Sequence, residues 1–164
     1  MEQHEIDAEL ATPGAQDLLT TTAMAHLAYT GADGTPRVVP VGFYWTGREL
    51  VVSTAATAPK VAALRARPDV AVSIDAGDTP DGARALSIRG RADIGIVDGV
   101  VEEYLAASRI SMEPDAAAAF ERDVRGFYDR MARIAITPTW ARFYDYGAGR
   151  VPRFLADLAE RAGW

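Results

Sequence analysis

The chain has 164 residues, with 17 Lys and Arg against 23 Asp and Glu, for a net charge of −6. That length is enough for one domain with a sizeable core, and an acidic balance provides no global field to attract nucleic acid. The absence of cysteine excludes disulfides, zinc–thiolate sites, iron–sulfur clusters and a cysteine nucleophile.

Hydrophobic residues make up 49% of the chain and charged residues 24%, the balance of a soluble globular protein. No apolar run approaches the length of a bilayer span, so no membrane partner is expected. The opening MEQHEIDAEL is acidic and has no apolar core region, so it does not read as a signal peptide. A cytoplasmic location fits these features.

Residues 1–12 are polar and read as a flexible N-terminal tail. The stretch PGAQDLLT, with Thr12 as N-cap and Pro13 at the first helical position, predicts a short helix that buries Leu18 and Leu19. Met24 to Gly31 reads as the first strand, and Asp33-Gly34 is the strongest short hairpin signal in the chain. Pro36 to Trp45 reads as the second strand. Its alternation sets Val39, Val41 and Phe43 on one face and Val38, Pro40 and Gly42 on the other. Pro40 has no N–H for a ladder and Gly42 leaves surface uncovered, which marks an edge, a bulge or a place where a flat ligand approaches the backbone.

After the turn Thr46-Gly47, Glu49 to Thr54 predicts a third strand. It empties into Ser53-Thr54-Ala55-Ala56-Thr57-Ala58 and then Pro59-Lys60, where Pro59 suits the first turn of a helix. Two threonine hydroxyls, free N–H groups, a helix N-terminus and a lysine together form a plausible cradle for a phosphate. The same stretch also reads as an ordinary strand–helix connection with a solvated lysine. Pro59 to Arg67 is a short helix with Val61 and Leu64 inward, and Pro68 stops it.

Val70 to Ile74 predicts a fourth strand, 75–83 a loop, and Ala85 to Val97 a long fifth strand with Gly90 and Gly95 at bends or bulges. Two helical stretches form an insertion over 98–131. Val101, Tyr104 and Leu105 share a face of the first, and Phe120, Val124, Phe127 and Tyr128 form a stripe on the second. Ala132 to Tyr146 reads as a sixth strand and Pro152 to Ala162 as a terminal helix. Six short-spaced strands without regular βαβ units argue for a mainly β fold. The expectation is an antiparallel barrel, Greek-key-like, with a helical excursion and a C-terminal helix in a single domain over 1–164.

The chemistry-bearing residues are few. His4 and His26 are the only histidines, and no ligand spacing surrounds them. Asp75, Asp78 and Asp81 lack the spacing and closing glutamate of a calcium loop. There is no G-x-S-x-G elbow, no Walker A loop and no G-x-G-x-x-G, and Glu102-Glu103 point apart on a helix. Beyond tyrosines and histidines the chain offers no redox or acid–base group, so a bound cofactor would carry the chemistry.

Several stretches in order resemble a known family. They are Ala25-His26-Leu27-Ala28, Asp33-Gly34-Thr35-Pro36, Val38 to Phe43, Leu50 to Thr54, Pro59-Lys60, Arg67-Pro68-Asp69-Val70 and Ser87-Ile88-Arg89-Gly90-Arg91-Ala92. Over residues 10–97 the chain is similar to the pyridoxamine 5′-phosphate oxidase-like split-barrel flavoproteins, and within them to the flavin/deazaflavin-dependent oxidoreductases. The resemblance implies a six-stranded antiparallel split barrel that forms a homodimer, with cofactors in grooves at the dimer interface. It places Pro40, Val41 and Gly42 beside the cofactor ring and Thr54, Thr57 and Lys60 at its phosphate. Trp140 and Arg142 would complete the partner's pocket. The chain lacks the C-terminal substrate signature and arginine-rich FMN pattern of true pyridoxamine phosphate oxidases, so pyridoxal phosphate synthesis is not expected. The implied activity is hydride transfer between F420 or FMN and a small organic substrate, with no catalytic residue assigned. The alternatives are non-catalytic binding or storage of a flavin, F420 or haem, and a structural dimer with an empty groove.

Overall fold

The computed structural model describes residues 1–163. Its elements are α1 (Gln3–Leu10), α2 (Pro13–Thr21), β1 (Met24–Thr30), β2 (Pro36–Gly42), β3 (Tyr44–Trp45), β4 (Leu50–Ala55), α3 (Pro59–Ala66), β5 (Asp69–Ala76), β6 (Arg84–Asp98), α4 (Glu102–Ser111), α5 (Pro114–Phe127), β7 (Arg130–Asp145) and α6 (Arg153–Ala162). The strands form one antiparallel sheet in the order β2-β1-β5-β6-β7-β4-β3. β2 and β4 are far apart in that order, yet they touch. The sheet therefore curls until its ends meet without hydrogen-bonding, which is a split barrel.

The mainly β split barrel expected from sequence is the fold observed, with seven strands in place of six. The stretch read as one strand from Pro36 to Trp45 breaks at Phe43. Up to Gly42 the chain pairs with β1; beyond Phe43 it pairs with β4, through Tyr44 with Val51 and Trp45 with Leu50. Phe43 itself turns into the core at the switch.

Period-two patterning sets the two faces of the sheet. Leu27, Val72, Ile88 and Ala141 stand side by side across β1, β5, β6 and β7, and all are buried. Fully burying one such aliphatic side chain contributes roughly 1.5–3 kcal/mol. The next row along, Val38, Ala28, Ala71, Arg89 and Trp140, faces outward, and Val38 is 65% exposed. Between Arg89 and Gly90 the register slips, leaving Thr139 as an extra residue on β7. Gly90 is required there: a Cβ would sit 2.6 Å from the carbonyl oxygen of Thr137. Gly95, also expected at an irregularity, instead lies in regular pairing opposite Arg133.

Residues 1–12 are not a loose tail. They supply α1, which packs on β7 and buries Ile6 and Leu10. The helix carries a third buried residue on that face, Glu9. Its Oε1 accepts from Arg142 at 3.0 Å, and its Oε2 accepts from the Phe143 N–H at 2.9 Å and from Arg150 at 2.6 Å. A polar segment is ordered here because partners more than 130 residues away satisfy its charge.

The insertion forms α4 and α5 and has its own small core of Val100, Val101, Leu105, Val124 and Met131. Phe127 does not join the inward stripe. It ends α5, is 77% exposed and meets the Tyr128 ring in a T-shaped contact. Among the described residues no helix is long and apolar enough to cross a membrane.

Candidate functional site

The stretch expected to hold a phosphate lies where β4 runs into α3. Ala55 accepts a hydrogen bond from the Ala58 N–H at 3.0 Å, which closes the loop, and Ala56 donates to the Arg130 carbonyl. Pro59 opens α3, and its N-cap, Ala58, offers no side-chain cap. The first-turn N–H groups of α3 therefore have no side-chain acceptor. Lys60 sits half-buried in this turn, with no hydrogen bond or ion pair to any described residue. The Thr54 and Thr57 hydroxyls are likewise without partners among the described residues, Thr54 half-buried and Thr57 exposed. The N–H groups of Ala56, Ala58 and Val61 are spent on the Arg130, Ala55 and Ala58 carbonyls, so the donors left are the Lys60 ammonium and the two threonine hydroxyls, a set that fits a phosphate monoester.

β2 is an edge strand, as Pro40 requires. Val38, Pro40 and Gly42 face outward, and their strip is roughly 13 Å long at the rise of a strand. Val41 points the other way and is buried in the core, so only its backbone is offered to a ligand. Gly42 leaves open space: a Cβ there would meet nothing closer than the Ala23 carbonyl oxygen, at 3.9 Å. β2 touches β4 across the split of the barrel.

Trp140 is placed elsewhere. On β7, Ala132 pairs with Thr54, whereas Trp140 pairs with Arg89, roughly 26 Å further along the strand. The Arg89 guanidinium carbon lies 4.3 Å from the centre of the Trp140 ring. With His26 and Val38 these residues line an outward groove of about 320 Å³ on the exposed sheet face. Thr54, Thr57 and Lys60 thus share one strand–helix junction, whereas Trp140 lies on the outer sheet face with Val38 of the β2 strip. His26 also approaches Asp75, with Nδ1 3.6 Å from a carboxylate oxygen. Among the described residues no cluster of His, Asp or Glu could hold a metal.

Sequence reading missed one feature. A cavity of about 260 Å³ lies between the insertion and the β2–β4 end of the barrel, lined among others by Gly42, Ser53, Glu103, Tyr104, Met112 and Phe120. Arg133 on β7 holds Glu103 through Oε1 at 2.8 Å and reaches Glu49 at 3.4 Å. Burial pushes the Glu103 carboxyl up, but the hydrogen bonds from Arg133, its own N–H and the Arg133 charge outweigh this and hold it below its ordinary value. Burial, followed by the neighbouring Tyr128, pushes the Tyr104 hydroxyl up. Tyr104 therefore stays neutral, while Glu103 stays ionised. The 3.6-residue spacing of Val101, Tyr104 and Leu105 showed that this face is covered, but gave no sign that it roofs Gly42.

A sequence model of the family described as Pyridoxamine 5′-phosphate oxidase matches residues 11–143. The chain belongs to this family, whose fold is the flavin-binding split barrel. Among solved structures, one described as an F420 reductase is 30% identical, covering 77% of this chain and 94% of its own, with a TM-score of 0.58. The conserved hypothetical protein Rv2991 from Mycobacterium tuberculosis is 22% identical over 93% of this chain and 89% of its own, with a TM-score of 0.65. HutZ, the haem storage protein from Vibrio cholerae, is 14% identical over 79% and 91%, with a TM-score of 0.57. The last two share the fold. No curated protein matches the sequence.

Proposed function

We propose that the protein is a cytoplasmic, homodimeric oxidoreductase that binds F420 or FMN and acts on a small organic molecule. The observation that carries this reading is the set of unpartnered donors on Thr54, Thr57 and Lys60, in a fold whose edge strand β2 presents Pro40 and Gly42 outward. A phosphate would be held by the Lys60 ammonium and the two hydroxyls. The ring would lie flat on β2, where Pro40 and Gly42 leave it room. When bound, such a cofactor supplies two-electron hydride chemistry, for which the chain itself has no group. The chain's own residues bind and orient, and the insertion screens one end of the strip from water. The 30% identity to an F420 reductase supports a deazaflavin.

The exposed outer sheet face supports the homodimer. Val38 and Met24, 65% and 49% exposed, stand on that face as uncovered apolar side chains, with Trp140 and Arg89 in the same groove as Val38. Burying this face against a second copy would also move Trp140 from a lone groove into a shared one.

The test is a side-by-side titration of apo-protein with F420 and FMN, following cofactor fluorescence, and then anaerobic oxidation of the reduced, bound cofactor by candidate acceptors. Binding of one cofactor at micromolar or tighter affinity with acceptor-dependent oxidation is the expected result. Binding without oxidation by any acceptor would make the protein a carrier. Binding of neither would overturn the reading.

A further inference from the structure

The cavity under α4 and α5 has a composition that selects a ligand. Phe43, Val51, Tyr104, Met112 and Phe120 make its walls mainly apolar. Glu103 is the one charged residue lining it among the described residues, since Arg133 lies behind Glu103 and is not part of the wall. Arg133 occupies Oε1 of Glu103, leaving Oε2 without a partner among the described residues. The half-buried Ser53 hydroxyl has none either. The Ser108 hydroxyl, in contrast, is spent on the Leu105 carbonyl at 2.8 Å. A mainly apolar chamber is therefore lined by two polar groups with unused capacity, one of them the carboxylate of Glu103 held by Arg133. Its volume sets the size: a dry cavity of roughly 150 Å³ accepts one benzene ring, so about 260 Å³ suits two fused rings. Gly42 belongs both to this wall and to the outward strip of β2, so the cavity opens at one end of that strip.

We propose that this cavity is the binding site for the organic substrate, and that it takes a neutral, flat, largely apolar molecule of one or two fused rings carrying a hydrogen-bond donor for Glu103. The position rests on the reading that the cofactor ring lies along β2, because the substrate would then stack at the Gly42 end of it. Carboxylates and sulfonates are rejected. The site has no free cation to receive them, and the ionised Glu103 repels them at short range in a poorly solvated chamber. The substrate's donor goes to Glu103 Oε2, and an acceptor on the same molecule can take the Ser53 hydroxyl.

The probes are 2-naphthol and 2-naphthoate, which share a ring system and differ in charge. Saturation-transfer and NOE spectroscopy on the wild-type protein should show 2-naphthol bound, with NOEs to the Met112 methyl and the Phe120 ring. 2-Naphthoate should bind roughly tenfold more weakly or worse. Glu103→Gln should reduce that discrimination to less than about threefold, as expected when the charge goes and the shape stays. Ser111→Trp, at an exposed lining residue, should abolish 2-naphthol binding while F420 and FMN titrate as for wild type. NOEs to other residues, equal affinity for the two probes, or full 2-naphthol binding by Ser111→Trp would each overturn the assignment. A chain that takes a cofactor but no naphthol refutes the cavity site alone. One that takes naphthol at Met112 and Phe120 but neither cofactor refutes its role as a substrate site and the cofactor reading together.

Discussion

Glu9 Oε2 accepts a 2.6 Å hydrogen bond from Nη2 of Arg150, tying the first helix to the turn that follows the last long strand. The same carboxylate takes Arg142 and the Phe143 N–H, and its side chain is only 10% exposed. Glu9→Ala would leave the buried Phe143 N–H and the Arg142 guanidinium without this acceptor, and Arg150 with only the Phe143 carbonyl. A loss of about 3 kcal/mol is expected, the low end of the cost of breaking a buried ion pair because both arginines remain partly solvated. Urea unfolding followed by circular dichroism measures it, and a loss under 1 kcal/mol would show that α1 is held by Ile6 and Leu10 alone.

The same contact shows where sequence reading stopped. The strands were legible because burial alternates with period two, as in Val39-Val41 against Val38-Pro40, and the helix starts because Pro13, Pro59 and Pro114 open them. Lys60 and its threonines were legible because every part of the cradle is local. Helix α1 was not, because its two apolar residues are too few to signal burial without the distant arginines. The cavity was not, because Gly42, Ser53 and Glu103 come from three separate segments. Trp140 entered as a site residue only through the family resemblance, and its distance from Thr54 was not legible, because that depends on where β4 pairs along β7.

Glu103 gives a pH dependence of defined sign. Its folded value lies below its ordinary value of 4.5, so the unfolded chain takes up this proton first as pH falls. The stability it contributes is complete above 4.5 and is lost as pH falls through the folded value. Glu103→Gln should therefore be less stable than wild type at pH 7, and the gap should close progressively below pH 4.5. Unfolding midpoints at pH 7, 5, 4 and 3 test this; a gap that widens in acid would contradict it.

Gly42 separates folding from function. A side chain there enters open space, so Gly42→Leu should change stability by no more than about 0.5 kcal/mol, as for an ordinary surface substitution. It should nevertheless weaken cofactor binding about tenfold or more, because the leucine occupies the strip on which the ring would lie. Thermal unfolding and a cofactor titration of the same sample make the comparison. Undiminished affinity would move the ring off β2.

Val38 tests the dimer. Its outward side chain makes Val38→Glu harmless to the fold, but a carboxylate on a face buried against a second copy would lose its solvation, with only the Trp140-stacked Arg89 and His26 in the same groove. Sedimentation should show two 17.6 kDa chains for wild type and one for the variant. A wild-type monomer at micromolar concentration would remove the outer sheet face from the account.

The central claim is that Lys60 and its threonines hold the phosphate of a redox cofactor. The most direct measurement is a fluorescence titration of wild type and Lys60→Ala with F420 and with FMN. A charge-assisted phosphate contact contributes roughly 1.5–3 kcal/mol, so the variant should bind at least about tenfold more weakly, with its unfolding midpoint unchanged. Equal affinity in wild type and variant, or no binding of either cofactor to the wild type, would contradict it.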